Sequence, residues 1–137
     1  AMNQIKLNNY SPESIPDSLI NSIQQIESGG ATEADFDAAY KREGAVGVLQ
    51  QREVFRDEIA RLDPSMANYD PNDPVQARQA AKIYIAHQLK TGLSWDMAIA
   101  SYNAGRTGAR AGKGDKYSGK VNLVFEAMFN EKQGGRA

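Results

Sequence analysis

The chain has 137 residues, long enough to bury an apolar core without metal or disulfide support. Sixteen basic side chains against seventeen acidic ones leave a net charge of −1, so the charge balance gives no reason to expect a nucleic-acid partner. The absence of cysteine removes thiol catalysis, thiolate metal sites and disulfide frameworks together.

In chain order, Asn3 to Ser14 are polar with isolated apolar positions, and residues 1–14 read as an extended lead-in to a domain over residues 15–133. The lead-in lacks the basic-then-apolar layout of a signal peptide, and no apolar run in the chain approaches the roughly 20 residues that a transmembrane segment needs. From Ile15 the apolar positions Ile15, Leu19, Ile23 and Ile26 fall on one helical face. Pro16 and Asp17 suit its first turn, and Gly29-Gly30 stop it. A polar connection with Asp35, Asp37 and Tyr40 follows, then the small apolar stretch Gly44 to Gln50, which reads as a tight, buried turn. Val54, Ile59 and Leu62 predict a second helix ending at Asp63-Pro64, since the residue before proline leaves the helical region. Asp73-Pro74 opens the longest helix, through Val75, Ala77, Ala81, Ile83, Tyr84 and Leu89 to Thr91-Gly92. Ser94 caps a shorter one that carries Trp95, Ala98, Ile99 and Tyr102 and ends at Gly105. Arg106 to Gly119 hold four glycines and several charges and read as a loop. Val121 to Phe129 form a final helix, and the tail from Gly134 frays. The fold class is mainly α, and the Thr32 to Val48 region leaves room for a small β-ribbon.

Glu27 is the first candidate for chemistry. It stands one residue before the end of the first helix, four after Ile23, so its carboxyl lies at the edge of the apolar stripe. Burial disfavours a carboxylate, and so does the negative end of the helix dipole; both favour the protonated acid that a general acid needs near neutral pH. The plain alternative is an exposed last-turn glutamate, and position alone does not decide between them.

Other motifs do decide. Glu27-Ser28-Gly29, Gly44-Ala45-Val46-Gly47-Val48-Leu49-Gln50, Ala98-Ile99-Ala100-Ser101-Tyr102-Asn103-Ala104-Gly105 and Tyr117 occur in that order. Together they resemble the lytic transglycosylase domain and its goose-type lysozyme relatives, from about Leu19 to Met128. One such tripeptide arises by chance in roughly one or two per cent of chains this size, so the weight rests on the four in sequence. The turn here reads Gly-Val-Leu-Gln where the family has Gly-Leu-Met-Gln, a change between similar apolar side chains. The segment between Gly29 and Gly44 lacks an Asn-Pro-Asn-type loop, and Tyr117 follows Gly114-Asp115-Lys116 where many relatives carry Glu-Thr.

The resemblance implies a lysozyme-like fold and a single catalytic acid and base, Glu27, acting on the β-1,4 bond between N-acetylmuramic acid and N-acetylglucosamine. Glu27 protonates the glycosidic oxygen and then takes the proton of the muramyl 6-hydroxyl, giving a 1,6-anhydro sugar with help from the substrate's N-acetyl group. It also implies substrate-binding roles for Ser28, Gln50, Tyr102, Asn103 and Tyr117. Each has a competing structural reading. Ser28 is a helix-end polar residue, and the amides of Gln50 and Asn103 suit sugar hydroxyls and acetamides but also cap turns and helices. Tyr102 falls on an apolar face, and Tyr117 either orients Glu27 or packs in the core. His87 reads as helix packing and Trp95 as a core anchor. No metal-ligand cluster is present, and neither metal nor cofactor is expected.

The expected partner is the glycan strand of peptidoglycan, met by a monomer outside the cytoplasm or in a phage particle. Two other functions stay open. One is a muramidase on the same fold, in which Asp35 or Asp37 positions water. The other is a non-catalytic wall-binding domain, which would have no use for an acid at Glu27.

Overall fold

The computed structural model describes residues 7–134, with side chains described as far as residue 128. The start of the expected lead-in, the side chain of Phe129 and the tail beyond Gly134 lie outside the described residues. Among the described residues six α-helices are bounded: α1 (Asp17–Ser28), α2 (Glu33–Glu43), α3 (Glu53–Leu62), α4 (Pro74–Lys90), α5 (Trp95–Arg110) and α6 (Asp115–Gly134). There is no strand among the described residues; the only ladder pairing there is one antiparallel bridge between Val46 and Gln51. The mainly α expectation holds; in the Thr32 to Val48 region, where the sequence leaves room for a β-ribbon, Glu33–Glu43 is helix and only Val46 pairs, in that single bridge. Among the described residues no helix is long and apolar enough to cross a membrane.

The chain divides into two compact units, residues 23–84 and residues 1–22 with 85–137. The first contains the end of α1, then α2, the turn, α3 and most of α4. Its interior is built from Leu49, Ile59, Ala77, Ala80 and Ala81, all fully buried. The small side chains of α4 leave room inside the unit for a buried amide. Gln51 is 1% exposed, and a buried amide needs partners. Its Nε2 donates to the Ala77 carbonyl at 2.8 Å, and its Oε1 accepts from the Tyr69 hydroxyl at 2.8 Å. Burial holds the Tyr69 hydroxyl well above the usual tyrosine range, so it stays a donor.

The polar connection expected after Gly30 is in fact α2. Its apolar face is thin, with only Ala39 buried, so periodicity carries little signal. Its ends hold it instead. Thr32 and Asp35 form a reciprocal cap, in which Thr32 Oγ1 accepts from the Asp35 amide at 3.2 Å and Asp35 Oδ2 accepts from the Thr32 amide at 2.9 Å. Glu33 and Asp35 in the first turn and Lys41 and Arg42 in the last complement the helix dipole. Gly44 closes the helix at φ 69°, its amide donating to the Tyr40 carbonyl at 2.8 Å.

The second unit holds the start of α1, the end of α4, and α5 and α6, which pack on each other. Leu7 is fully buried, so the lead-in already contributes to a core there. Trp95 is 6% exposed, and Ile99 of α5 and Val121 and Phe125 of α6 are fully buried. The expected Arg106 to Gly119 loop is corrected to the end of α5 and the start of α6. Gly105 does break the helix, at φ 76° and ψ 164°, but the chain resumes helical geometry to Arg110. Only Gly112 and Gly114 then take positive φ, and a Cβ on Gly114 would meet the Ala100 carbonyl oxygen at 2.8 Å. Gly108 and Gly119 lie within helices, which is why counting glycines overstated the loop.

Candidate active site

The site is built at the end of α1. Glu27 and Ser28 close this helix, and the Ser28 hydroxyl donates to the Val48 carbonyl at 2.6 Å, pinning the helix end to the turn. One turn back, Gln24 Oε1 accepts from Arg78 Nη1 of α4 at 3.1 Å. Two tethers therefore fix the turn of helix that presents Glu27. The turn itself is rigid. Val46 and Gln51 exchange backbone hydrogen bonds at 3.2 and 3.0 Å, and Gly47 at φ 77° lies so close to the Pro71 carbonyl that a Cβ would overlap it. Gln50 takes φ 50°, and its Nε2 donates to the Gly47 carbonyl at 2.9 Å, leaving Oε1 as the acceptor end of the amide.

Glu27 is half-buried and lines a cavity of about 260 Å³ together with Ser28, Gln50 and residues of α2, among them Asp35, Phe36 and Arg42. Of the six residues singled out by motif, the structure brings Glu27, Ser28 and Gln50 to this one cavity. Ser28 and Gln50 both hold local backbone, so part of each polar group is already engaged.

Asp35 is the second carboxylate of this cavity. Its acceptance of the Thr32 amide and then of the Thr32 hydroxyl interaction holds it below the usual aspartate range, as an anion. Asp37 lines a different and larger cavity of about 700 Å³, and Phe36 contributes to the walls of both.

Tyr102, Asn103 and Tyr117 belong to the unit of residues 1–22 and 85–137. Tyr102 is half-buried and Asn103 exposed, three and two residues before the break at Gly105. Asn103 makes no side-chain hydrogen bond to the described residues, so it is not the helix cap that one reading of it required. Tyr117 is 9% exposed in the first turn of α6. His87 is half-buried within α4. Among the described residues no group of three or more His, Asp or Glu is placed to hold a metal ion.

Sequence reasoning passed over Gln51, Phe36 and Arg56. Gln51 sits next to the motif glutamine with nothing to mark it as the buried one. Phe36 falls in the segment read as a connection, where Thr32 and Asp35 three residues apart were the available sign of a helix start.

Residues 7–125 match the family model described as the transglycosylase SLT domain. No curated protein matches, and no solved structure does.

Proposed function

The chain belongs to the transglycosylase SLT domain family, whose activity is of the lytic transglycosylase type on peptidoglycan, and from that premise we propose that Glu27 is its single acid and base. The observation that supports this is the contrast between the two carboxylates of one cavity: Glu27 ends a helix and Asp35 begins one. At a helix C-terminus the dipole favours the protonated carboxyl, and at an N-terminus it favours the anion. Asp35 is also tied into its cap. The proton donor is thus Glu27.

Glu27 gives its proton to the glycosidic oxygen between N-acetylmuramic acid and N-acetylglucosamine as the bond breaks. The substrate's N-acetyl group steadies the cationic sugar. Glu27, now a carboxylate, accepts the proton of the muramyl 6-hydroxyl as that oxygen closes on the anomeric carbon, so the product is 1,6-anhydromuramic acid. Because the nucleophile belongs to the substrate, no second carboxylate has to activate water. The Gln50 amide receives sugar hydroxyls or acetamide, and Ser28 keeps the acid's helix end against the turn; substrate contacts are assigned to Tyr102, Asn103 and Tyr117 on motif order alone.

One observation favours hydrolysis as a second reading, namely that Asp35 lines the same cavity as Glu27. The products separate the two. Mass spectrometry of muropeptides released from purified peptidoglycan is expected to find anhydro ends, lighter by one water than reducing ends; reducing ends that carry solvent oxygen would overturn the transglycosylase reading.

A further inference from the structure

We infer that the cavity of about 700 Å³ beside the Glu27 cavity binds the peptide stem that substituted muramic acid carries, with Arg56 taking a stem carboxylate and Asp37 its ammonium group. The inference rests on the reading of the chain as acting on peptidoglycan, though not on the role given to Glu27. The cavity lies within the range of volumes that hold a substantial ligand. It is walled by Phe36, Asp37 and Tyr40 of α2, by the turn at Gly47, by Arg56 of α3 and by Asn72.

Three features point to a charged ligand rather than to more sugar. First, Arg56 is half-buried and held in place, with Nη1 donating to the Gln51 carbonyl at 2.6 Å, while Gln51 is itself anchored to Ala77 and Tyr69. Among the described residues Arg56 has no carboxylate partner, which leaves the rest of a rigid donor fork for an anion. Second, Asp37 lines the same cavity without pairing to Arg56, so the cavity presents both signs of charge to one occupant. Third, Phe36 and Tyr40, four residues apart on α2, present two rings on one side of the helix, and Tyr40 is 62% exposed. Glycan sugars of peptidoglycan are uncharged once the lactyl carboxyl is in amide linkage. The stem carries free carboxylates, an ammonium group at its diamino acid and apolar alanine methyls. Phe36 also lines the Glu27 cavity, so the two cavities share a wall.

The test uses the full chain and the free stem tetrapeptide L-alanyl-γ-D-glutamyl-meso-diaminopimelyl-D-alanine. Titration followed by NMR is expected to move the Phe36 and Tyr40 ring signals, with Kd raised about tenfold or more in Arg56→Gln and in Asp37→Asn, the loss due from one charge-assisted contact. The ratio of kcat/KM on intact strands to that on strands stripped of peptide by an amidase is expected to fall by a similar factor in both variants. Asp37 is exposed, so Asp37→Asn carries the test if Arg56→Gln fails to fold. No ring shift, or an unchanged Kd in a folded variant, overturns the inference. Peptide binding without strand cleavage supports it and removes the catalytic proposal, whereas cleavage of both strand types at equal rates without peptide binding does the reverse.

Discussion

The end of α1 and the start of α2 each place a carboxylate on the same small cavity, and they do so by opposite means. Glu27 comes at a helix C-terminus that is tied down through its neighbours, Ser28 to the turn and Gln24 to α4. Asp35 comes at a helix N-terminus and is itself the tie, closing the cap with Thr32. One side chain is held by what surrounds it and the other does the holding. Proton transfer suits the first arrangement, because a carboxylate that caps a helix, as Asp35 does, cannot take up a proton without weakening that cap. The difference supports the proposal that only one of the two carboxylates serves as the acid.

The sharpest way to break this comparison is Glu27→Gln, which removes the proton but keeps size and hydrogen-bonding capacity. Clearing of a peptidoglycan suspension is expected to fall by about a thousandfold or more, as for a general acid with no substitute, while thermal unfolding stays close to wild type. More than about a tenth of the original rate would remove Glu27 from its role. A smaller loss is expected from Gln50→Ala and Asn103→Ala, each weakening kcat/KM by about 1–3 kcal/mol of transition-state binding. Asn103 is exposed and unbonded among the described residues, so its variant should fold normally, which separates binding from architecture. For Gln50, which also bonds the Gly47 carbonyl, rates are to be compared per folded molecule.

Ser28→Ala tests the tether directly. It removes the 2.6 Å bond to the Val48 carbonyl and leaves that oxygen without its hydroxyl donor, at a cost of about 1–2 kcal/mol in stability measured by denaturant unfolding. Activity per folded molecule should fall as well, because the last turn of α1 is then free to move Glu27. An unchanged rate with reduced stability would make Ser28 purely architectural.

The two regions also differed in how far they could be read from sequence. The end of α1 follows from its apolar period and from Gly29-Gly30, and the Gly44 to Gln50 turn from its small residues, whose φ values of 69°, 77° and 50° at Gly44, Gly47 and Gln50 explain the composition. Motif order then linked the two. The start of α2 stayed hidden because that helix buries only Ala39 and depends on its caps, so a search for apolar periodicity passes over it. The same weakness concealed Phe36 and the two cavities it joins. In the other unit the glycines from Gly108 to Gly119 were misleading for a different reason, since two of the four tolerate helical geometry and only Gly112 and Gly114 turn the chain.

The smallest expected effect is the one that decides between the two reactions. Asp35→Asn leaves an amide able to accept from the Thr32 backbone, but removes the charge that suits the start of α2, so a slight loss of thermal stability is expected at neutral pH. Its pH dependence has a definite sign. Asp35 lies below its ordinary value of 3.8 in the folded chain, so its contribution is complete above that value and is lost as pH falls further through the lowered one. The difference in stability between wild type and Asp35→Asn should therefore be constant from neutral pH down to the ordinary aspartate value and shrink below it, as followed by Tm across an acid series. Peptidoglycan cleavage by Asp35→Asn should remain near wild type throughout, and the products should still carry anhydro ends, because the 6-hydroxyl of the substrate replaces the water that a second carboxylate would activate. A rate as low as that of Glu27→Gln, with stability barely changed, would instead make Asp35 the partner base of a muramidase and end the division of labour between the two helix ends.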